Sequence, residues 1–444
     1  MTEADPEPPA AGPDRLGPPR LARVRALVVD VEPLRLDIDF RRLWIGQSVN
    51  RIGSQITRVA LPYQVYVLTE STLALAALVF VQLVPILLFS LAGGAIADAF
   101  DRRRILIAVQ VSLVASTIGL VLVSLQPDPA IPLLFALAFV AAGLSSVDQP
   151  ARVAAITRLV PAVRLRPALA LMQLSGNAAS IVGPAIAGVL LGTAGVVGAY
   201  STDVVTFGVS VAMLLRMRPI PPTGTPQPPS LESIREGLRF VRGRRLILST
   251  FAIDLNAMFF GSPLTLLPVL ALDVFKVGPV GLGLLSAAPA AGALLATVFS
   301  GGITRMRRVG RGIVLAVVAW GAAILLFGLS TFAFPLALVF LAIAGGADVI
   351  SAVLRNSVVQ TAAPDELRGR VAAIHVLVVT GGPRLGDIEA ALVASVIGAQ
   401  LSVISGGLLC LAGVLLVMRR FPELDAHVAP GASTSPAAAA GGSG

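Results

Sequence analysis

The chain has 444 residues, 55% of them hydrophobic and 13% charged, with a mean hydropathy of +0.85, which is too apolar for a solvated globular surface and points to a membrane protein. Its single lysine, Lys276, stands in ALDVFKV without a glycine-rich approach, so a phosphate-cradling P-loop is excluded and ATP cannot power the protein. One cysteine, Cys410, and two histidines, His375 and His427, are too few for a disulfide or a metal cage, so neither a metal nor a cofactor is expected.

Residues 1–40 are rich in Pro, Ala and charge and read as a disordered cytoplasmic tail, leaving the first span as the insertion signal. A hydrocarbon core of about 30 Å takes about 20 apolar residues per helix. Twelve such segments fit, near 43–68, 72–97, 104–125, 131–150, 168–193, 197–216, 246–272, 279–303, 312–330, 335–354, 371–394 and 398–418. The predicted fold is therefore all-α and membrane-integral, with an N-terminal six-helix bundle (41–218), a cytoplasmic linker carrying an amphipathic helix (219–245), a C-terminal six-helix bundle (246–420) and a disordered cytoplasmic tail (421–444). The linker helix carries Arg235, Arg239 and Arg242 on one face.

Connections after even-numbered spans hold Arg102, Arg103, Arg104, Arg158, Arg164, Arg166, Arg305, Arg307, Arg308, Arg368 and Arg370, whereas those after odd-numbered spans hold only Lys276. The positive-inside rule puts both termini in the cytoplasm of a cell whose cytoplasmic membrane this chain crosses repeatedly. Topology thus accounts for the net charge of +9, and no nucleic-acid partner is expected. The halves also echo each other: GGAIADAFDRRR after span 2 corresponds to GGITRMRRVGR after span 8, and Arg152 to Pro161 has the spacing of Arg355 to Pro364. Two pseudo-symmetric halves suggest a rocking transporter with its site between them.

Span 1 places Gln47, Arg51, Ser54, Gln55, Arg58 and Pro62 on one helical face. Tyr63 and Tyr66 follow at its outer end, where an interfacial aromatic belt is the plainer reading. Span 4 carries Ser145, Asp148, Gln149 and Arg152, span 7 Asp254 and Asn256, and span 10 Asp348, Ser351 and Arg355. A charge at mid-bilayer costs roughly 2.5–3.5 kcal/mol and persists where it faces a bundle interior or a wet cavity. Every third helix is thus expected to line a central substrate cavity built from Gln47, Arg51, Ser54, Gln55, Arg58, Asp254 and Asp348, with static ion pairs the alternative for Asp148, Arg152 and Arg355.

GGAIADAFDRRRIL resembles the loop motif between spans 2 and 3 of the major facilitator superfamily, matching at Gly94, Asp98, Arg102 and Arg103, with Asp101 where the family has a second glycine. The resemblance implies a cytoplasmic gate in which Asp98 meets the start of span 11 near 366–372. GNAASIVGPAIAG in span 5 is similar to the antiporter motif of the same superfamily at Gly183, Pro184 and Gly188. GQSVNRIGSQITRVALPYQVYVLTEST, VVQTAAPDELRGRVAAIHVL and LGDIEAAL narrow the likeness to the branch containing the enterobactin exporter and related efflux permeases, over roughly residues 40–420. That branch implies a working monomer exporting a small molecule.

Span 11 contains GGPRLGDIEAAL, where Gly381, Gly382 and Pro383 predict a bend at mid-membrane. Arg384 and Asp387 are three apart and able to pair, while Glu389 points about 200° further round. A carboxylate among Asp254, Asp348, Asp387 and Glu389, alternately paired with an arginine such as Arg384 and protonated, would couple inward proton flow to outward substrate movement. The expected function is export of a small amphiphilic molecule, siderophore-like or a lipophilic drug, by proton antiport with alternating access. The alternatives are efflux of lipophilic cations and a non-transporting sensor that kept the transporter fold. A membrane enzyme is disfavoured by the lack of a clustered nucleophile and base.

Overall fold

The computed structural model describes residues 30–221, 238–299, 306, 308–362, 364 and 367–426, with side chains throughout except at 90–99, 299, 368–370, 372, 373, 376 and 377. Among the described residues there are twelve long helical segments: α1 (Ile38–Thr69), α2 (Thr72–Ala99), α3 (Arg102–Ser124), α4 (Ile131–Leu159), α5 (Ala162–Thr193), α6 (Gly195–Leu215), α7 (Arg245–Phe260), α8 (Gly278–Phe299), α9 (Val309–Leu329), α10 (Phe334–Ala362), α11 (Arg368–Ile397) and α12 (Ala399–Arg420). By length and composition, ten are apolar enough to cross a membrane. Helix α1 is as long, at 32 residues, but is diluted by the polar residues noted above.

Links between successive helices alternate between two ends of the bundle. The hairpin end has links as short as one residue, Ala194 between α5 and α6 and Gly398 between α11 and α12, the latter at φ 86°. The other end carries the described chain ends and is called the terminal end. There the short helices Glu32–Leu36 and Pro422–Ala426 pack on the bundle through Asp37–Arg164 and Arg245–Glu423 ion pairs, and Leu424 is fully buried. The first residues assigned from sequence to the C-terminal tail and the last of the N-terminal tail are thus folded. Of the linker, 238–243 are helical, whereas 222–237, including Arg235, lie outside the described residues.

Span 7 departs from expectation. In place of one helix through 272, α7 stops at Phe260 and resumes after Gly261, Ser262 and Pro263 as a 3-10 turn (Leu264–Leu266), a helical turn (Leu267–Val269) and a π-turn (Leu270–Val274). Pro263 has no amide hydrogen to give, so the ladder cannot run through it. By contrast α11 runs unbroken past Gly381, Gly382 and Pro383. Gly381 faces open space, Gly382 lies against Leu255 and Met258 of α7, and farther on a Cβ at Gly386 would fall 3.0 Å from the Phe259 Cα.

The core is distributed unevenly along the membrane normal. At the hairpin end one apolar cluster draws residues from every long helix except the α7 segment itself, whose extension supplies Leu266, Leu267, Val269, Leu270 and Ala271. At the terminal end the clusters separate: Phe40, Leu106, Ile156, Leu171 and Phe207 belong to one built from α1, α3, α4, α5 and α6, and Ile253, Ile313, Leu354 and Val414 to another built from α7, α9, α10 and α12. Among the described residues no terminal-end cluster joins α1–α6 to α7–α12. Direct contact between the halves runs through α5 with α8, α2 with α11, and the α7 extension with α1 and α2.

Within lipid, helix association rests on close packing of small residues. A Cβ on Gly345 of α10 would lie 2.7 Å from Pro289 Cα of α8, and one on Gly292 of α8 would lie 2.7 Å from Ala342 Cα. Gly345→Val therefore drives backbones apart and is expected to cost at least the ~1–3 kcal/mol typical of overpacking. Thermal unfolding in detergent checks this against Gly208→Ala, a helical glycine with open space around its missing Cβ, which is expected to lose nothing.

Candidate functional site

A partly open cavity of about 290 Å³ lies midway along the bundle, lined by Arg51, Ser54, Gln55 and Arg58 of α1 and by Gln173, Gly176, Asn177, Ala179 and Ser180 of α5. Four residues of the predicted α1 face therefore share one chamber. The α5 residues were not singled out from sequence, although Gln173, Asn177 and Ser180 recur at the 4-3 spacing of a single helical face. Gln55 Nε2 donates to Ser180 Oγ at 2.8 Å, joining the two walls. Arg51 donates to the Met172 carbonyl and crosses α5 at Gly176, where a Cβ would fall 2.7 Å from its Nη1. Arg58 is exposed in the cavity wall and pairs with no carboxylate among the described residues, while Arg384 of the other half lies within electrostatic reach of it.

The remaining predicted cavity residues lie elsewhere. Gln47 is buried one turn nearer the terminal end, beside the close contact of Gly46 with α6. Asp254, 1% exposed, is consumed by an ion pair with Arg355, Oδ1 to Nη1 at 2.7 Å. Arg355 also donates to Ser351 Oγ at 3.0 Å and stands 3.9 Å from the half-exposed Asp348. In α4, Arg152 pairs with Asp148 one turn earlier, its Nε at 3.1 Å from Oδ2, and Gln110 donates to Asp148 Oδ1 at 3.1 Å. Both halves thus hold a buried arginine at equivalent positions, Arg152 and Arg355, and the static ion-pair account fits them. The cavity described above lies between α1 and α5, and Gln47, Asp254 and Asp348 do not line it.

Arg384 and Asp387 do not pair. Arg384 Nη1 donates to the Thr380 carbonyl at 2.7 Å, one turn back on its own helix. Asp387 Oδ1 instead accepts the Ser262 hydroxyl at 3.1 Å and the Thr265 amide at 3.2 Å. The carboxylate thereby satisfies the amide stranded by the break in α7, which is worth more in hydrocarbon than a second bond to an arginine already served by a carbonyl. Glu389 is half-buried farther along α11. Tyr66 is buried and hydrogen-bonds Asp273 in the α7 extension, so it ties the halves together instead of standing in an aromatic belt.

In the loop motif, Asp101 caps α3 by accepting the Arg103 amide at 2.9 Å and the Arg104 amide at 3.4 Å, so no second glycine is needed. Arg102 Nη1 binds the Pro221 carbonyl at 2.8 Å, and Arg103 reaches the Leu214 and Leu215 carbonyls at 3.0 and 2.7 Å, where they hold the end of α6. The side chain of Asp98, residue Gly94 as a packing surface, and the side chains at 368–370 and 372 of the expected gate lie outside the described residues. In the antiporter-like motif, Gly183 admits the Gln55 side chain, and Gly188 and Pro184 meet Pro279 and Gly283 of α8. Among the described residues no group of His, Cys, Asp and Glu is placed to hold a metal.

The profile of the transmembrane secretion effector family, a major facilitator family, matches residues 29–439. This chain belongs to that family. Enterobactin exporters of Shigella boydii serotype 18 and of Escherichia coli O157:H7 are each 27% identical to it over 399 residues, covering 88% of this chain and 94% of theirs. Two solved structures share its fold. A bacterial homologue of the human lysosomal transporter Spinster has a TM-score of 0.67 at 16% identity, over 90% of this chain and 98% of that one. A D-xylose–proton symporter has a TM-score of 0.67 at 14% identity, over 88% and 100%. This member of the secretion effector family is a multi-pass membrane transporter of the major facilitator type.

Removing Arg355 strands Asp254 in a dry site, so Arg355→Met is expected to destabilise by about 3–5 kcal/mol. The double variant with Asp254→Asn should recover most of that loss in thermal unfolding; a double variant no better than the single one counts against the pair.

Proposed function

We propose that this transporter exports a small anionic or zwitterionic amphiphile, of the siderophore class, by proton antiport with alternating access. The observation that carries this reading is Arg58: an arginine exposed in a membrane-embedded cavity, free of any carboxylate among the described residues and set beside Arg51. A guanidinium left without its counter-ion in such a place is costly unless an anionic ligand supplies one. The relatives named as enterobactin exporters support the ligand class. The volume of about 290 Å³ sits at the small end of ligand pockets, as suits a chamber that widens when loaded.

The arginine-rich connections put the terminal end in the cytoplasm. In this reading the core that joins both halves at the hairpin end closes the outer side, and the cavity opens inward. Asp387 and Glu389 of α11 and Asp254 and Asp348 at Arg355 are the carboxylates among which this reading first looks for the proton carrier. Asp348, half-exposed and 3.9 Å from Arg355, also favours a second reading, efflux of lipophilic cations.

Inside-out vesicles with an acidified lumen and a pH-sensitive dye test the function: enterobactin should trigger proton release, and lipophilic cations should not compete. Arg58→Gln is expected to weaken enterobactin about 10–100-fold, the worth of a charge-assisted hydrogen bond. Stronger release with cations, insensitive to Arg58→Gln, would favour the second reading. In a Cys410→Ser background, Asn177→Cys should react with an impermeant maleimide in inside-out but not in right-side-out vesicles; the reverse pattern would overturn the inward-facing assignment.

A further inference from the structure

Asp203 lies in the interior of α6 and is 1% exposed. Its carboxyl group meets two hydroxyls, Thr57 Oγ1 at 2.5 Å on Oδ2 and Thr206 Oγ1 at 3.3 Å on Oδ1. The latter hydroxyl is shared with the Asp203 carbonyl, which it approaches to 2.8 Å. From α1 the neighbours are Thr57 and Gly53, and from α6 itself Thr206. Among the described residues no cation of α1, α3 or α5, the helices packed on α6, acts on it. Other buried acids of the molecule are compensated differently: Asp254 has Arg355, Asp148 has Arg152, Asp39 has Arg42 and Arg218, and Asp387 has a backbone amide.

An ionised carboxylate so placed, with hydroxyls alone for company, is expensive, and binding a proton removes the charge. The hydroxyl of Thr57 suits both states, since it can donate to a carboxylate or accept from a carboxylic acid. Space for the group is made by Gly53, where a Cβ would lie 2.5 Å from Asp203 Oδ1. Helix α1 therefore presents Gly53 and Thr57 to Asp203 on one side and Arg51, Gln55 and Arg58 to the cavity on the other. One helix, one turn thick, separates the ligand chamber from the acid.

We propose that Asp203 is a proton-binding site that couples to the cavity through α1. Resting on the export reading above, the step is a plain proton exchange. Ligand drawn onto Arg58 displaces α1 from α6, the carboxylic acid gives its proton to water on the cytoplasmic side, and the carboxylate takes another from the opposite side after the halves rock. No other bond forms or breaks. Sequence inspection passes over Asp203 because it stands alone in an apolar helix, without a basic partner at helical spacing.

The test uses the full chain in lipid nanodiscs. Infrared spectroscopy should show the carbonyl stretch of a neutral carboxylic acid that Asp203→Asn removes and that Thr57→Val shifts in frequency. Should the asparagine variant fail to fold, the shift with Thr57→Val still assigns the band. Enterobactin should diminish the band in the wild type. In vesicles, Asp203→Asn should bring ligand-driven proton release down to the protein-free background while enterobactin counterflow continues. A spectrum untouched by both variants overturns the proton site, and proton release undiminished in Asp203→Asn overturns the coupling. A wild type that moves no enterobactin sinks the export reading, and the infrared arm still decides whether Asp203 holds a proton that responds to ligand.

Discussion

At the hairpin end, where the two halves share one apolar cluster, the break in α7 is held by two hydrogen bonds to Asp387. Inside a bilayer no water is available to satisfy a broken helix, so the interruption of α7 at Gly261–Pro263 needs acceptors and donors from elsewhere in the protein. Asp387 supplies the acceptor from α11 by taking the Ser262 hydroxyl and the Thr265 amide. Released from the α7 axis, residues Leu264–Val274 reach α1, α2, α8, α11 and α12 and feed the apolar cluster that joins both halves. Tyr66 then finds Asp273 across the boundary. A polar residue that looks costly in the sequence of one helix is the support for a bend in another.

The same exchange between helices explains what could be read from the sequence and what could not. The face of Arg51, Ser54, Gln55 and Arg58 was legible because four polar residues at helical spacing in one span leave a single direction for them to point. The ion pairs of Arg152 and Arg355 were legible as alternatives for a similar reason, each arginine having an acid one or two turns away on its own helix. What periodicity within one span cannot give is a partner on another. Hence Asp387 was matched to Arg384 when its true partners lie on α7, and the bend was assigned to the glycines and proline of α11 when it occurs at Pro263. Gly386 and Gly382 turn out to be spacing elements between two helices, a role that only the neighbour reveals.

Polar side chains in this protein fall into distinct physical situations. Asp254 and Arg355 neutralise each other and are locked in place at 2.7 Å; Asp387 is committed to backbone. Arg58, by contrast, keeps its charge at a wet wall, and Asp203 sits dry with hydroxyls for company. In the reading proposed above, the state of each responds to another species, one to an anion and one to a proton, and they flank the same stretch of α1.

The makeup of the hairpin end has a calorimetric meaning. Its cluster is apolar across all the helices that meet there, stitched across the halves by small residues and one tyrosine–aspartate bond, with no cross-half ion pair among the described residues. Parting it would wet hydrocarbon surface, which raises heat capacity. Under the alternating access proposed above, the balance between the two facing states would then bend with temperature while staying nearly indifferent to salt.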